Sequence, residues 1–136
     1  MIWLFIRSCP GPRDGDRPDA RPVDAGGGEG RVLVTNDLNL DFSKHKVTFI
    51  EIGADRCIPC QQMQPIMREI AAEHPKTVRV VFYDVWKDPA AARFYGVQLI
   101  PTQVFIDSSG REIFRHVGLY PKEQILAMLR QKGILP

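Results

Sequence analysis

A chain of 136 residues is long enough for one domain with a substantial core. At 44% hydrophobic and 25% charged residues its composition is that of an ordinary globular protein, and a formal net charge of +2 gives no ground for nucleic-acid binding. No apolar run approaches the length of a membrane span, and three cysteines do not make a disulfide framework.

Residues 1–30 hold four of the 11 prolines and six of the 11 glycines, with scattered Arg and Asp. Such a segment buries too little to offset its ordering entropy, so a disordered tail is expected ahead of a domain over residues 31–136. Met1-Ile2-Trp3-Leu4-Phe5-Ile6 is apolar but shorter than the core of a secretion signal, and positive charge follows it instead of preceding it. A cytoplasmic location is expected, with export to the periplasm the alternative if the true start lies upstream. Cys9 follows Arg7-Ser8 instead of small apolar residues. It reads as an incidental thiol, not as a lipid anchor or an intermolecular bridge.

Val32-Leu33-Val34 is a short strand candidate, and Asp37 is placed to cap a short helix carrying Leu38 and Phe42. Lys46 to Ile52 reads as a buried strand ending at Gly53-Ala54. A long helix then opens at Cys57-Ile58-Pro59-Cys60, with Met63, Ile66, Met67 and Ile70 forming one apolar stripe. Pro65 is expected to kink it and His74-Pro75 to end it. Val78 to Val85 is β-branched and aromatic, hence a strand. Asp88-Pro89 opens a helix over Ala90 to Tyr95, which Gly96 closes. Thr102 to Ile106 and Glu112 to Val117 are strands joined by the hairpin turn Asp107-Ser108-Ser109-Gly110. Pro121 starts a last helix with Ile125, Leu126 and Leu129 on its buried side, ending at Lys132-Gly133. The order β-α-β-α-β-α-β-β-α predicts an α/β fold, a mixed central β-sheet flanked by helices on both faces.

Cys57-Ile58-Pro59-Cys60 reads as a redox dithiol at the mouth of a helix. Side chains three apart on a helix lie roughly 5–6 Å apart at Cβ, and a disulfide needs Cα atoms about 4.4–6.8 Å apart. The pair can therefore close and open with little backbone motion. Unpartnered N–H groups and the helix dipole at this end favour a thiolate at Cys57, the attacking species. Pro59 costs nothing in a first turn, where its N–H would be unpaired anyway.

Taken together the motifs resemble the thioredoxin family over roughly residues 31–133. The carriers of the resemblance are the dithiol, Pro65 within the following helix, Tyr95-Gly96-Val97 ahead of Ile100-Pro101-Thr102, and Gly118 after the last strand. The resemblance implies a thioredoxin fold and protein thiol–disulfide exchange, in the reducing direction more than the oxidising one. It implies Cys57 as the exposed nucleophile, Cys60 as the buried resolving thiol, and a cis peptide bond before Pro101 facing the dithiol. Ile58, Pro59, Ile100, Pro101, Thr102 and Gly118 would bind substrate, with Ile100 pairing an extended client segment as a strand adds to a sheet. Glu51 stands where the family carries a buried proton-relay aspartate, and burial should raise its pKa. The lysine that usually neighbours that acid is replaced by Phe82, the two tryptophans before the dithiol by Gly53 and Arg56, and the lysine after it by Gln61. Arg56 adds positive charge beside Cys57, although a solvated loop charge is its simplest role.

The implied partners are disulfide-containing client proteins and an upstream electron donor, either a flavin-dependent reductase or a membrane thiol transporter. No bound cofactor is expected, no metal, no nucleic acid and no membrane span, and the chain is expected to be a monomer. Two other readings belong to different classes: a dithiol carrier of copper or zinc, and a non-catalytic interaction module on the same fold. His45, His74 and His116 fall at no ligand spacing, which weighs against metal. The simplest role of Tyr83, Trp86, Met63 and Met67 is core or rim packing, and that of His116 is a solvated or cross-strand position.

Overall fold

The computed structural model describes residues 29–136. The expectations for residues 1–28, Cys9 among them, lie outside the described residues. The elements are β1 (Val32–Val34), β2 (Val47–Gly53), α1 (Ile58–Glu73), β3 (Val78–Asp84), α2 (Ala90–Tyr95), β4 (Thr102–Asp107), β5 (Glu112–Val117) and α3 (Lys122–Gln131). The five strands form one sheet in the order β1-β3-β2-β4-β5. β1, β3 and β2 run parallel, while β4 is antiparallel to both β2 and β5.

β2 is the spine of the sheet, buried at every position from Val47 to Gly53. A strand with helices over both faces must be apolar throughout instead of alternating, and the run Val-Thr-Phe-Ile-Glu-Ile-Gly nearly is. Its odd-numbered residues Val47 and Phe49 face α1 and α3, in a core with Met63, Met67, Ile70, Phe105, Tyr120, Ile125 and Leu129. Its even-numbered residues Ile50 and Ile52 face α2, in a core with Val81, Tyr83, Ala91, Tyr95, Val104 and Ile106. Glu51 and Gly53, by the same alternation, belong to the face covered by α1 and α3.

The expected helix at Asp37 does not form. Asp37 does not cap a helix; its Oδ1 accepts from the Asn39 N–H at 2.9 Å, and Asp41 repeats the turn with Ser43 at 3.0 Å. Asp offers the backbone this local alternative to a helix wherever nothing else enforces one. Leu38, Leu40 and Phe42 pack against the core on the α2 side, with exposed Asn39 and Asp41 between them. That spacing of two suits extended chain, not helix. The Tyr83 hydroxyl donates to the Asp37 carbonyl at 2.6 Å and ties the segment to β3. The order is therefore β-β-α-β-α-β-β-α, with one helix fewer than the sequence reading has.

The other boundaries shift by a residue or two. α1 runs unbroken through Pro65, which sits on its exposed side. Asp88 Oδ1 accepts from the Ala90 N–H at 3.0 Å and so caps α2, although the first helical residue is Ala90. Gly96 closes α2 with φ of 65°, its N–H bonded to the turn behind it. A Cβ at Gly96 would meet nothing within 4 Å, so Gly96→Ala changes backbone strain and little else. We expect a loss of about 1–2 kcal/mol in urea unfolding; an unchanged midpoint would contradict the left-handed cap.

Candidate active site

The dithiol lies where β2 hands over to α1. Cys57 is the N-cap of α1, in extended backbone with φ of −82° and ψ of 122°. Its carbonyl accepts the first helical bond from the Gln61 N–H at 2.9 Å. Ile58 and Pro59 fill the first two helical positions, so the missing N–H of Pro59 falls where a helix has no partner for it. Cys57 and Cys60 are joined as a disulfide, with Cα atoms 5.1 Å apart. The two sulfurs are not equivalent in exposure. Cys57 is partly exposed, whereas Cys60 is 0% exposed.

Two ties hold the loop ahead of the dithiol. Gln61 Nε2 donates to the Asp55 carbonyl at 2.8 Å. The Asp84 carboxylate at the end of β3 accepts from the backbone N–H groups of Asp55, Trp86 and Lys87 at 3.3, 3.0 and 3.3 Å. Asp84 is buried, and Lys87 reaches both it and Asp55 at 3.8 and 3.4 Å. Sequence reasoning assigned Asp84 no role, because its partners come from two different loops.

The loop before β4 ends opposite the end of β2, where Thr102 pairs with Ile52. The Ile100–Pro101 peptide bond is cis. Thr102 Oγ1 donates to the Leu99 carbonyl at 2.6 Å, and the Gly118 N–H donates to the Pro101 carbonyl at 2.7 Å. Gly118 takes φ of +95°, which a side chain would resist. Pro101 and Thr102 are buried, while Ile100 and Gly118 are partly exposed. Leu99, Val117 and Leu119, neighbours of these residues in the chain, expose 67%, 53% and 42% of their surface, and Ile58 at the start of α1 exposes 70%. Trp86 is 60% exposed and is not a core residue. Arg56 is exposed, as a loop charge would be.

Beneath the dithiol, the reason for Gly53 is contact, not backbone freedom. A Cβ there would stand 3.0 Å from Cys60 Sγ and 3.4 Å from the Phe82 ring. Two residues back along the same face of β2 is Glu51, 0% exposed. Phe82 is its partner on β3 and Gln103 its partner on β4. Among the described residues no cation pairs with it; Gln103 Nε2 donates to its two carboxylate oxygens at 3.3 and 3.1 Å. Burial pushes the Glu51 carboxyl well above the ordinary carboxylate range, and the Gln103 hydrogen bond pulls part of the way back. His116, opposite Gln103 on β5, completes the row. Among the described residues no group of three or more His, Cys, Asp or Glu comes together as a metal-binding cluster, and no helix is long and apolar enough to cross a membrane.

A family model described as a thioredoxin-like domain matches residues 40–133. A thioredoxin of Chlamydia trachomatis is 31% identical over 97 residues, 71% of this chain and 93% of that one. A thioredoxin of Staphylococcus aureus is 30% identical over 99 residues, 72% of this chain and 94% of that one. Among solved structures, a mutant thioredoxin from Halobacterium salinarum superposes with a TM-score of 0.68 at 26% identity, covering 76% of this chain and 92% of that one. Thioredoxin from Nicotiana alata gives 0.63 at 28%, covering 74% and 90%. The chain belongs to the thioredoxin-like family. With its cysteine pair at bonding distance, its class is thiol–disulfide oxidoreductase.

Proposed function

We propose that the protein reduces disulfides in client proteins through a mixed-disulfide intermediate. The observation that carries this reading is the unequal exposure of the two bonded sulfurs at one helix mouth. The Cys57 thiolate, partly exposed and favoured by the helix N-terminus, attacks one sulfur of a client disulfide. The client S–S bond breaks, one client thiolate leaves, and a Cys57–client bond forms. Cys60 then gives its proton to Glu51 and attacks Cys57 Sγ. The mixed disulfide breaks, the second client thiolate leaves, and the Cys57–Cys60 disulfide carries away the two oxidising equivalents. A flavin-dependent reductase or a membrane thiol transporter returns the protein to the dithiol form. With the flavin-dependent reductase as donor, this direction runs in the cytoplasm.

The client lies as an extended segment across Ile58, Pro59, Ile100, Pro101, Thr102 and Gly118. The exposed Ile58, Leu99 and Val117 supply it with apolar contact, and the backbone at Ile100 pairs with the client main chain. The reading is tested by insulin reduction with dithiothreitol as donor. Catalytic turbidity well ahead of the dithiothreitol blank is expected; a trace that follows the blank would contradict the proposal.

A further inference from the structure

The face of β2 that carries Glu51 continues across the sheet as a polar row in an apolar surround. Glu51, Gln103 and His116 stand opposite one another on β2, β4 and β5. Gln103 is 0% exposed, and a buried amide is costly unless both of its ends are bonded. Both are. Its Nε2 donates to Glu51 and its Oε1 meets His116 Nδ1 at 2.9 Å. An amide oxygen only accepts, so Nδ1 carries the proton in this contact and donates it. The imidazole is held in turn by the Tyr120 ring, stacked on it at 4.1 Å between centroids and 12° between planes.

The chain of contacts has one consequence for orientation. With Oε1 bound to His116, the amide turns only its donor end to Glu51. Rotated by half a turn, it would set an acceptor against the carboxylate and leave the Nδ1–H facing a donor. Tyr120, His116 and Gln103 thus decide which end of the amide the acid meets.

We propose that Gln103, fixed in this orientation by His116, is a positioning residue for Glu51: it holds the carboxylate toward α1 and favours the ionised form that must accept the Cys60 proton. The proposal rests on the exchange reading above for its use, but not for its geometry. It explains how the site does without a cation beside the acid. Phe82 on β3 provides no charge, and a neutral amide on β4 does the stabilising instead. Among the described residues, the other titratable groups on this side of the sheet include Cys60 of α1, Tyr120 before α3, His116 itself, and Asp84, which is engaged with backbone N–H groups and Lys87, while Glu69 and Glu73 of α1 pair with Lys122 of α3.

The test is a carbon-13 NMR titration of the Glu51 side-chain carboxyl in the reduced full chain, compared with Gln103→Leu and His116→Phe. Leu keeps an apolar side chain of similar volume in the core, and Phe keeps the stack on Tyr120 while removing the donor. Gln103→Leu should raise the titration midpoint by about one unit or more, because a hydrogen bond to a charged group is lost. His116→Phe should raise it by a smaller amount, because the amide is then free to turn. Gln103→Met serves if the Leu variant fails to fold. A midpoint unchanged in either Gln103 variant, or in His116→Phe, would overturn the proposal. Shifted midpoints in a protein that does not reduce insulin would count against the exchange reading alone and support the positioning pair. In the active protein, Glu51→Gln combined with Gln103→Leu should release clients no more slowly than Glu51→Gln alone. A further slowing in the double variant would mean that Gln103 does not act through Glu51.

Discussion

Cys57→Ser should bring insulin reduction down to the dithiothreitol blank, and Cys60→Ser should leave the protein covalently attached to its clients. The two substitutions differ in outcome because the two sulfurs differ in place. Cys57 is the partly exposed N-cap of α1, and without its thiolate no bond to a client forms. Cys60 is 0% exposed and faces Gly53, so it meets no client but is placed to attack Cys57. Its loss permits the first exchange and blocks the second. Non-reducing electrophoresis with a disulfide-bearing client checks both: adducts are expected with Cys60→Ser and none with Cys57→Ser. Adducts forming equally through either remaining cysteine would contradict the assignment of roles. A carrier of metal or a passive docking module would form no adduct with either.

Glu51→Gln should slow client release by about 10²-fold at neutral pH while leaving the attack by Cys57 nearly intact, since positioned proton transfer typically contributes on the order of 10²–10⁴-fold. Equal release rates in variant and parent, read by rapid-quench alkylation, would refute the proton-relay role. The same substitution has a signature in stability. An unfolded Glu titrates near about 4.3, and burial raises the Glu51 carboxyl well above the ordinary range in the folded chain. Between those two values the folded state binds more protons than the unfolded one, so stability falls as pH rises. The contribution is fully present below the unfolded value and is lost as pH climbs through the folded one. Each unit of separation amounts to about 1.4 kcal/mol. Urea unfolding of the parent should therefore weaken from pH 4 upward (about the unfolded carboxyl value), and Glu51→Gln should flatten that slope. Parallel pH profiles would mean that Glu51 is not buried as an acid.

The parts of this architecture that were legible in the sequence are those whose signal is local. The run Val47 to Ile52 announces a buried strand, and Cys57-Ile58-Pro59-Cys60 announces its chemistry within four residues. The burial of Glu51 could be read from the apolar residues on both sides of it. The helix expected at Asp37 went astray because Asp begins helices and Asx-type turns alike. The alternation Leu38, Leu40, Phe42 was the better guide there, with its period of two. Gly53 looked like a mere loss of a tryptophan; its reason, Cys60 Sγ overhead, exists only once α1 has folded back over β2. Asp84 and the Gln103–His116 pair were illegible for a related cause. Asp84 serves two loops, and the row Glu51, Gln103, His116 needs the register of three strands, which no single stretch of chain encodes.

The account turns on a Cys57 thiol more acidic than a free one, made so by its seat at the start of α1. The rate of iodoacetamide alkylation of Cys57 in the reduced protein, followed against pH, measures this directly. A midpoint below the free-thiol value of about 8.5 is expected. A midpoint at or above that value would contradict the claim that this helix mouth activates the sulfur.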